Sequence, residues 1–305
     1  MIDLVLTYVD GRDKAWQHQY LVYSRIEKVK FDKDSVRFRS WDNFHYIFRS
    51  IAQYMKFINN IYLIVENESQ IPSFININNV KIIYHKDIIP EEFLPTFNSN
   101  TIELFMYRIP DLSENFIYMN DDMLFLNEYN VDDFFDKDMN PLIMVEEHPL
   151  KKKNTYTLSL VKTMKLANLE NADFSVKWKG HILRSDHAPN PMKVSLWKYY
   201  WEKYETELKE SISRFRKPIN ITQELSNYHY YMYYTVNNMN CFSKRNSKYF
   251  DFVNRTSDDL EKILFDNTIT STCINDAGVT DFNIYKKVVN DLLKKRFPEK
   301  CIYEK

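Results

Sequence analysis

Glycine is nearly missing from this sequence. Gly11, Gly180 and Gly278 are the only three in 305 residues, where an average protein carries roughly 7%. A phosphate-cradling P-loop and a G-x-G-x-x-G turn both need several glycines close together, so neither can be built here. Cysteine is scarce too. Cys241, Cys273 and Cys301 are odd in number and show no C-x-x-C spacing, which argues against a disulfide framework and suits a reducing compartment. No apolar run approaches the ~20 residues that span a bilayer. The opening "MIDLVLTYVDG" lacks a basic stretch and is bracketed by Asp3 and Asp10, unlike a secretory signal. The expectation is a cytoplasmic protein, peripheral at most to the inner face of the plasma membrane. Net charge is only -1, so the chain as a whole is no electrostatic partner for nucleic acid.

What is present is core-forming. The chain is 44% hydrophobic, enough for one large or two small domains. "IDLVLTYV" (2–9), "IYLIV" (61–65), "VKIIYH" (80–85), "NFIYM" (115–119) and "PLIMVEE" (141–147) read as strands, several of them covered on both faces. Helical spacing of Phe44, Ile47, Phe48, Ile51 and Met55 predicts a helix over 42–56. A second is expected over 98–109, ended by Pro110. Strands alternating with helices predict an α/β fold with a largely parallel sheet and flanking helices over 1–150. After residue 150 the pattern is mainly helical. Pro191 opens a helix over 191–213 with Trp197, Trp201, Tyr204, Leu208 and Ile212 on one stripe. A tyrosine-dense segment covers 224–239 and suits core packing. A last helix runs from about 281 to 296. Its face of Tyr285, Val288, Val289, Leu292 and Leu293, beside Lys286, Lys287, Lys294, Lys295 and Arg296, could dock on the core or lie on anionic lipid.

Chemistry gathers at strand ends. In folds of this kind ligands sit outside the carboxyl ends of the strands. Asp10 and Gly11 of "VDGRD" follow the first strand, and Asn120, Asp121 and Asp122 follow "FIYM". Paired carboxylates suit a hard cation such as Mg²⁺, although two acids after a strand also serve as an ordinary turn. Asn275 and Asp276 of "TCINDAG" repeat the theme and could complete a metal or diphosphate site. His187 of "HAPNP" is braced by two prolines, as befits a general base or a plain loop histidine. Arg214 and Arg216 of "RFRK" offer forks for phosphate oxygens, or form a solvated basic turn.

Taken together, these segments resemble the Stealth family of capsule polysaccharide phosphotransferases, which includes the lysosomal N-acetylglucosamine-1-phosphotransferase. The similar blocks are "IDLVLTYVDGRD", "RFRSWDNFHYIFRSIAQYMKFINNIYLIVENESQIPSF" with "LPTFNSNTIELFMYRIPDLSENFIYMNDDMLF", "HAPNPMKVSLWKYY" with "SRFRKPINI", and "TCINDAG". They cover about half the chain. "YVD" stands where Trp-Val-Asp is common, and Phe44 stands where an acid is common. The resemblance implies a nucleotide-sugar-transferase-like core over 1–150. It also implies an acceptor or lid region over 151–305 that completes the same active site.

The implied reaction moves a hexose 1-phosphate from a nucleotide sugar, UDP-N-acetylhexosamine-like, to a glycan hydroxyl. A nucleoside monophosphate leaves, and the setting is capsule or surface polysaccharide synthesis. The resemblance assigns catalysis to His187, Asp122 and Arg216. It assigns donor binding to Asp10, Gly11, Arg37, Asp42, Arg49, Asn98, Asn120 and Arg214. Mg²⁺ or Mn²⁺ would be held by Asp121, Asp122, Asn275 and Asp276. The rival readings are a metal-dependent glycosyltransferase releasing a nucleoside diphosphate, and a carbohydrate-binding subunit without activity.

Overall fold

The computed structural model describes residues 1–29, 38–151, 153–168, 181–185, 187–239 and 242–305. Among them the strands are Ile2–Thr7 (β1), Ile58–Val65 (β2), Lys81–Tyr84 (β3), Asn115–Met119 (β4), Met123–Phe125 (β5), Val145–Pro149 (β6), His181–Ser185 (β7), Asn190–Lys193 (β8), Ser247–Phe250 (β9) and Ser271–Ile274 (β10). The helices are Lys14–Ile26 (α1), Phe44–Tyr54 (α2), His85–Ile88 (α3), Ser99–Glu103 (α4), Thr155–Asn168 (α5), Val194–Lys203 (α6), Glu205–Ser211 (α7), Glu224–Val236 (α8), Ser257–Phe265 (α9) and Phe282–Arg296 (α10).

The main sheet has the order β3-β2-β1-β4-β8. Its first four strands are parallel, and β8 closes the edge antiparallel to β4. The fold is thus α/β with a parallel-rich sheet. Alternation along β1 divides the core in two. Leu4 and Leu6 join α2, α9 and α10 on one face, while Val5 joins α6 and α8 on the other. Asp3, fully buried in the same strand, is satisfied by the backbone N–H groups of Asn60 and Ser113 and by two asparagine amides. A second sheet, β5-β10-β9, continues from the end of β4, and β6 pairs antiparallel with β7.

Several elements depart from the sequence expectations. Pro191 does not open a helix. It lies in β8 opposite Ile117, at a sheet edge, where a missing N–H costs no ladder bond. The helices begin after it, at Val194. The expected helix over 98–109 is broken into α4 and a single tight turn at Met106–Arg108, with the Leu104 carbonyl taken by the Trp201 indole N–H at 2.8 Å. The apolar face of α10, by contrast, takes the first of its two expected places, on the core. Val289 and Leu293 are buried, and Tyr285 and Leu292 pack on the same core. Among the described residues no helix is long and apolar enough to cross a membrane.

Candidate active site

Because β1 and β4 are parallel neighbours, with Leu6 opposite Met119, their carboxyl ends deliver Tyr8–Asp10 and Asn120–Asp122 to one sheet edge. Every residue of β4 is buried, so polarity appears only where the strand stops. There the chain turns into β5, and β10 pairs with β5. That pairing sets the Ile274 N–H on the Asp122 carbonyl at 2.8 Å and the Asn275 amide on Asp122 Oδ2 at 3.1 Å. Two distant motifs, "NDD" and "TCINDAG", therefore meet.

The electrostatics of this edge are strained. The Asp121 carboxyl is pushed up to about 7, first by burial and then by the Asp122 charge. Asp122 Oδ1 is a buried acceptor without a hydrogen-bond partner among the described residues. An orphaned oxygen beside a second crowded carboxylate fits a hard cation. Mg²⁺ commonly takes one or two carboxylates and fills the rest of its sphere with water and phosphate oxygens. Among the described residues no cluster of three or more His, Cys, Asp or Glu side chains surrounds such a point. The fit is therefore to an ion that shares its ligands with a substrate. Asp276 is not free to join. Arg39 grips both its oxygens, at 2.5 and 2.6 Å, and stacks on Phe282 at 4.3 Å.

Beside it lies a network of exposed charges. Arg12 donates to Asp10 from Nε and from its backbone N–H, both at 2.9 Å, and to Asp42 at 2.8 Å. Lys286 closes on the other oxygen of Asp42. The buried Gln70 amide holds the Asp10 backbone by both N–H and carbonyl. Tyr8, stacked on Phe44 at 4.5 Å, joins this network to the NDD edge: burial raises its pKa first, and Asp10 and Asp121 raise it further. Gly11 is explained by packing, since a Cβ there would stand 2.5 Å from the Phe38 carbonyl oxygen. Arg37 lies outside the described residues.

A cleft of about 120 Å³ opens next to Asn120 and is lined by His187, Arg216, Glu103 and Glu224 among others. His187 sits with its ring 5.1 Å from Tyr249, whose hydroxyl donates to Asn275 at 3.2 Å. Arg216 donates to the Ser99 hydroxyl. Glu103 and Glu224 form the cleft's buried acids, and burial raises both pKa values against the opposing effects of Arg216 on Glu103 and of Ser185 on Glu224. The Tyr118 hydroxyl lies 2.8 Å from the Asn120 amide oxygen and 3.3 Å from the Glu103 carboxyl, within hydrogen-bond reach of both. Glu103 also accepts from the Gln223 N–H at 3.3 Å. Hydrogen bonds thus run without a gap from β4 to the start of α8.

The structure brings His187, Arg216 and Asn120 to one cleft, and Asp121, Asp122 and Asn275 to the adjoining edge. Three sequence candidates are engaged elsewhere. Arg49 forms a fork with Glu304 at 2.8 and 2.9 Å. Asn98 is fully buried, caps α4 and donates to the Ser213 carbonyl at 3.0 Å. Arg214 donates to the Leu94 carbonyl at 3.1 Å and faces Glu27. Sequence reasoning missed Glu103, Glu224, Arg39 and Tyr249. The available signal was an acid amid buried apolar neighbours, as in "TIELF".

Residues 37–143 match the family described as Stealth protein CR2, conserved region 2. Over 216 residues the chain is 32% identical to the capsular polysaccharide phosphotransferase cps1A of Actinobacillus pleuropneumoniae, covering 68% of this chain and 58% of that protein. It is 30% identical over 336 residues to the capsular polysaccharide phosphotransferase WcwK of Streptococcus pneumoniae, covering 100% of this chain and 99% of that protein. The match thus spans little more than half of the Actinobacillus protein and nearly all of the pneumococcal one. A crystal structure of an active-site mutant of LgtC aligns over 95% of both chains at 8% identity with a TM-score of 0.35.

Proposed function

The chain belongs to the Stealth family of capsular polysaccharide phosphotransferases, and from that premise we propose that it moves a sugar 1-phosphate from a nucleotide sugar to a glycan hydroxyl. The observation that carries the reading is the convergence of His187, Arg216 and Asn120 on one cleft beside the Asp121–Asp122 edge. These residues come from three separate segments and supply a proton acceptor, a cation and an amide to one cleft.

In this reading the acceptor oxygen attacks the phosphorus that bears the sugar. The bond from that phosphorus to the bridging oxygen breaks, and the nucleoside monophosphate leaves with the electron pair. His187 takes the proton from the acceptor hydroxyl as the new bond forms. Arg216 meets charge developing on the phosphoryl oxygens. Glu103, whose pKa burial raises, lines the same cleft as Arg216. Asp121 and Asp122, with Asn275 beside them, would hold Mg²⁺ or Mn²⁺, whose chemistry when bound is to neutralise diphosphate oxygens.

The test incubates the full chain with a panel of nucleotide sugars, Mg²⁺ and candidate glycans, and identifies the released nucleotide. The expected products are a nucleoside monophosphate and a phosphodiester visible by phosphorus NMR. Stoichiometric nucleoside diphosphate with no phosphorus retained in the glycan would return the protein to the glycosyltransferase class.

A further inference from the structure

Behind the His187 segment stands a buried arginine whose donors meet carbonyls in place of a carboxylate. Arg245 is 7% exposed. Its guanidinium donates to the Pro189 carbonyl, to the Leu142 carbonyl at 3.2 Å and to the Ser243 hydroxyl at 2.7 Å, and lies 4.4 Å from the Phe134 ring. Burial draws its pKa down to about 10, which leaves it charged at neutral pH. Taking a cation out of water is costly, and a well-packed apolar side chain often fills such a space at less cost. The charge therefore has to be explained by what its donors hold. They tie together three segments far apart in sequence, at 142, 189 and 243. A planar fork can bridge divergent carbonyls, whereas a single ammonium cannot do so in the same geometry.

One of the three, Pro189, lies two residues beyond His187. The same short segment is fixed at both ends. The Ser185 hydroxyl donates to Glu224, and the Asn190 amide donates to Gln223, so that the start of α8 holds it from one side. Arg245 grips the backbone between those two anchors. His187 itself contacts the Tyr249 ring, so its place in the cleft is set mainly by the backbone that carries it.

We propose that Arg245 is a positioning residue for phosphotransfer: it fixes the backbone of the 187–190 segment so that His187 faces the cleft. The proposal rests on the reading of His187 as proton acceptor.

The test uses the full chain with Arg245→Lys, Arg245→Met and Arg245→Ala. The first readout needs no substrate. It is the rate at which diethylpyrocarbonate modifies His187, resolved by mass spectrometry, with exposed His18 and buried His85 as internal references. The second is turnover of the nucleotide sugar identified by the panel, set against donor affinity measured by calorimetry. The expected result is a changed His187 rate with both references constant, a fall in turnover of about 10-fold or more from a small misplacement, and unchanged donor affinity. Guanidinium at concentrations that leave the melting temperature unmoved should restore part of the turnover of Arg245→Ala, which a purely structural role would not produce. Parent-like turnover in every folded variant, an unchanged His187 rate, or donor affinity falling in step with turnover overturns the proposal. Should Arg245→Met or Arg245→Ala not fold, Arg245→Lys keeps the charge and decides alone. If the parent consumes no nucleotide sugar, the phosphotransfer reading fails separately, and the His187 rate still decides whether Arg245 positions it.

Discussion

Asp121 and Asp122 repel each other at the end of a buried strand, and the consequence has a definite sign. The folded carboxyl of Asp121 titrates at about 7 and its ordinary value is 3.8, so folding takes up a proton between the two. The stability this contributes is whole below about 4 and is lost as pH rises through about 7. Asp121→Asn removes the charge at nearly constant volume. Scanning calorimetry should show its melting temperature above the parent's near pH 8, with the gap narrowing as pH falls toward about 4, where the parent's carboxyl carries the proton folded and unfolded alike. A variant no more stable than the parent at the higher pH would mean that the two charges do not strain the fold. Asp122→Asn relieves the same repulsion but removes the orphaned oxygen. It should melt no lower than the parent and lose about 10²–10³ in turnover, and near-normal activity would take Asp122 out of the site. Asp276→Asn should behave differently. Its partner Arg39 is only 25% exposed and would be left without a counter-charge. A loss of about 1–3 kcal/mol in denaturant unfolding is expected, and unchanged stability would show that the fork contributes nothing.

At the scale of elements, length and covering decided what could be read in advance. β1, β2 and β4 are runs of apolar residues buried on both faces, and such runs declare themselves. β5, β9 and β10 have three or four residues each, and "STCI" before "NDAG" looks like the approach to a turn. Its partner β5 lies more than 140 residues away, so the pairing that joins Asn275 to Asp122 left no local trace. Pro191 was ambiguous for a physical reason, since a fixed φ and a missing N–H suit a first helical residue and an edge strand equally. The carboxylates at strand ends were legible because topology alone puts them there. Glu103 and Glu224 were not, because an acid within a helix normally faces water. The last helix posed a choice between core and lipid, and packing resolves it: Val289 and Leu293 are both at 0% exposure. Leu293→Ala should therefore cost about 2–4 kcal/mol. The parent should not sediment with anionic vesicles. A negligible stability loss, or vesicle binding that the variant abolishes, would give the face back to the membrane.

The molecule as a whole is closed by a strap. After α10 the chain returns over the sheet, where Lys305 N–H donates to the Phe74 carbonyl and Asn76 N–H to the Tyr303 carbonyl, both at 2.8 Å. Glu304 bridges to Ile75. Its carboxylate, 3% exposed, meets the fork of Arg49, 11% exposed, and Arg49 also donates to the Phe297 carbonyl at 2.8 Å. The Arg49 guanidinium is engaged by the Glu304 carboxylate and by the Phe297 and Pro298 carbonyls, a set of bonds that serves the architecture. Breaking one side of a buried ion pair strands the other charge and costs about 3–5 kcal/mol. Arg49→Met and Glu304→Gln should each lose an amount of that order. The double variant should recover about 1–3 kcal/mol of the summed loss, since the two residues share one interaction. Denaturant unfolding of the four proteins measures that coupling. Turnover and donor affinity, taken at a temperature where all four are folded, should stay at the parent's level. Strict additivity would mean the pair is not coupled. Loss of donor binding in Arg49→Met with stability intact would mean that the guanidinium leaves Glu304 to hold the substrate.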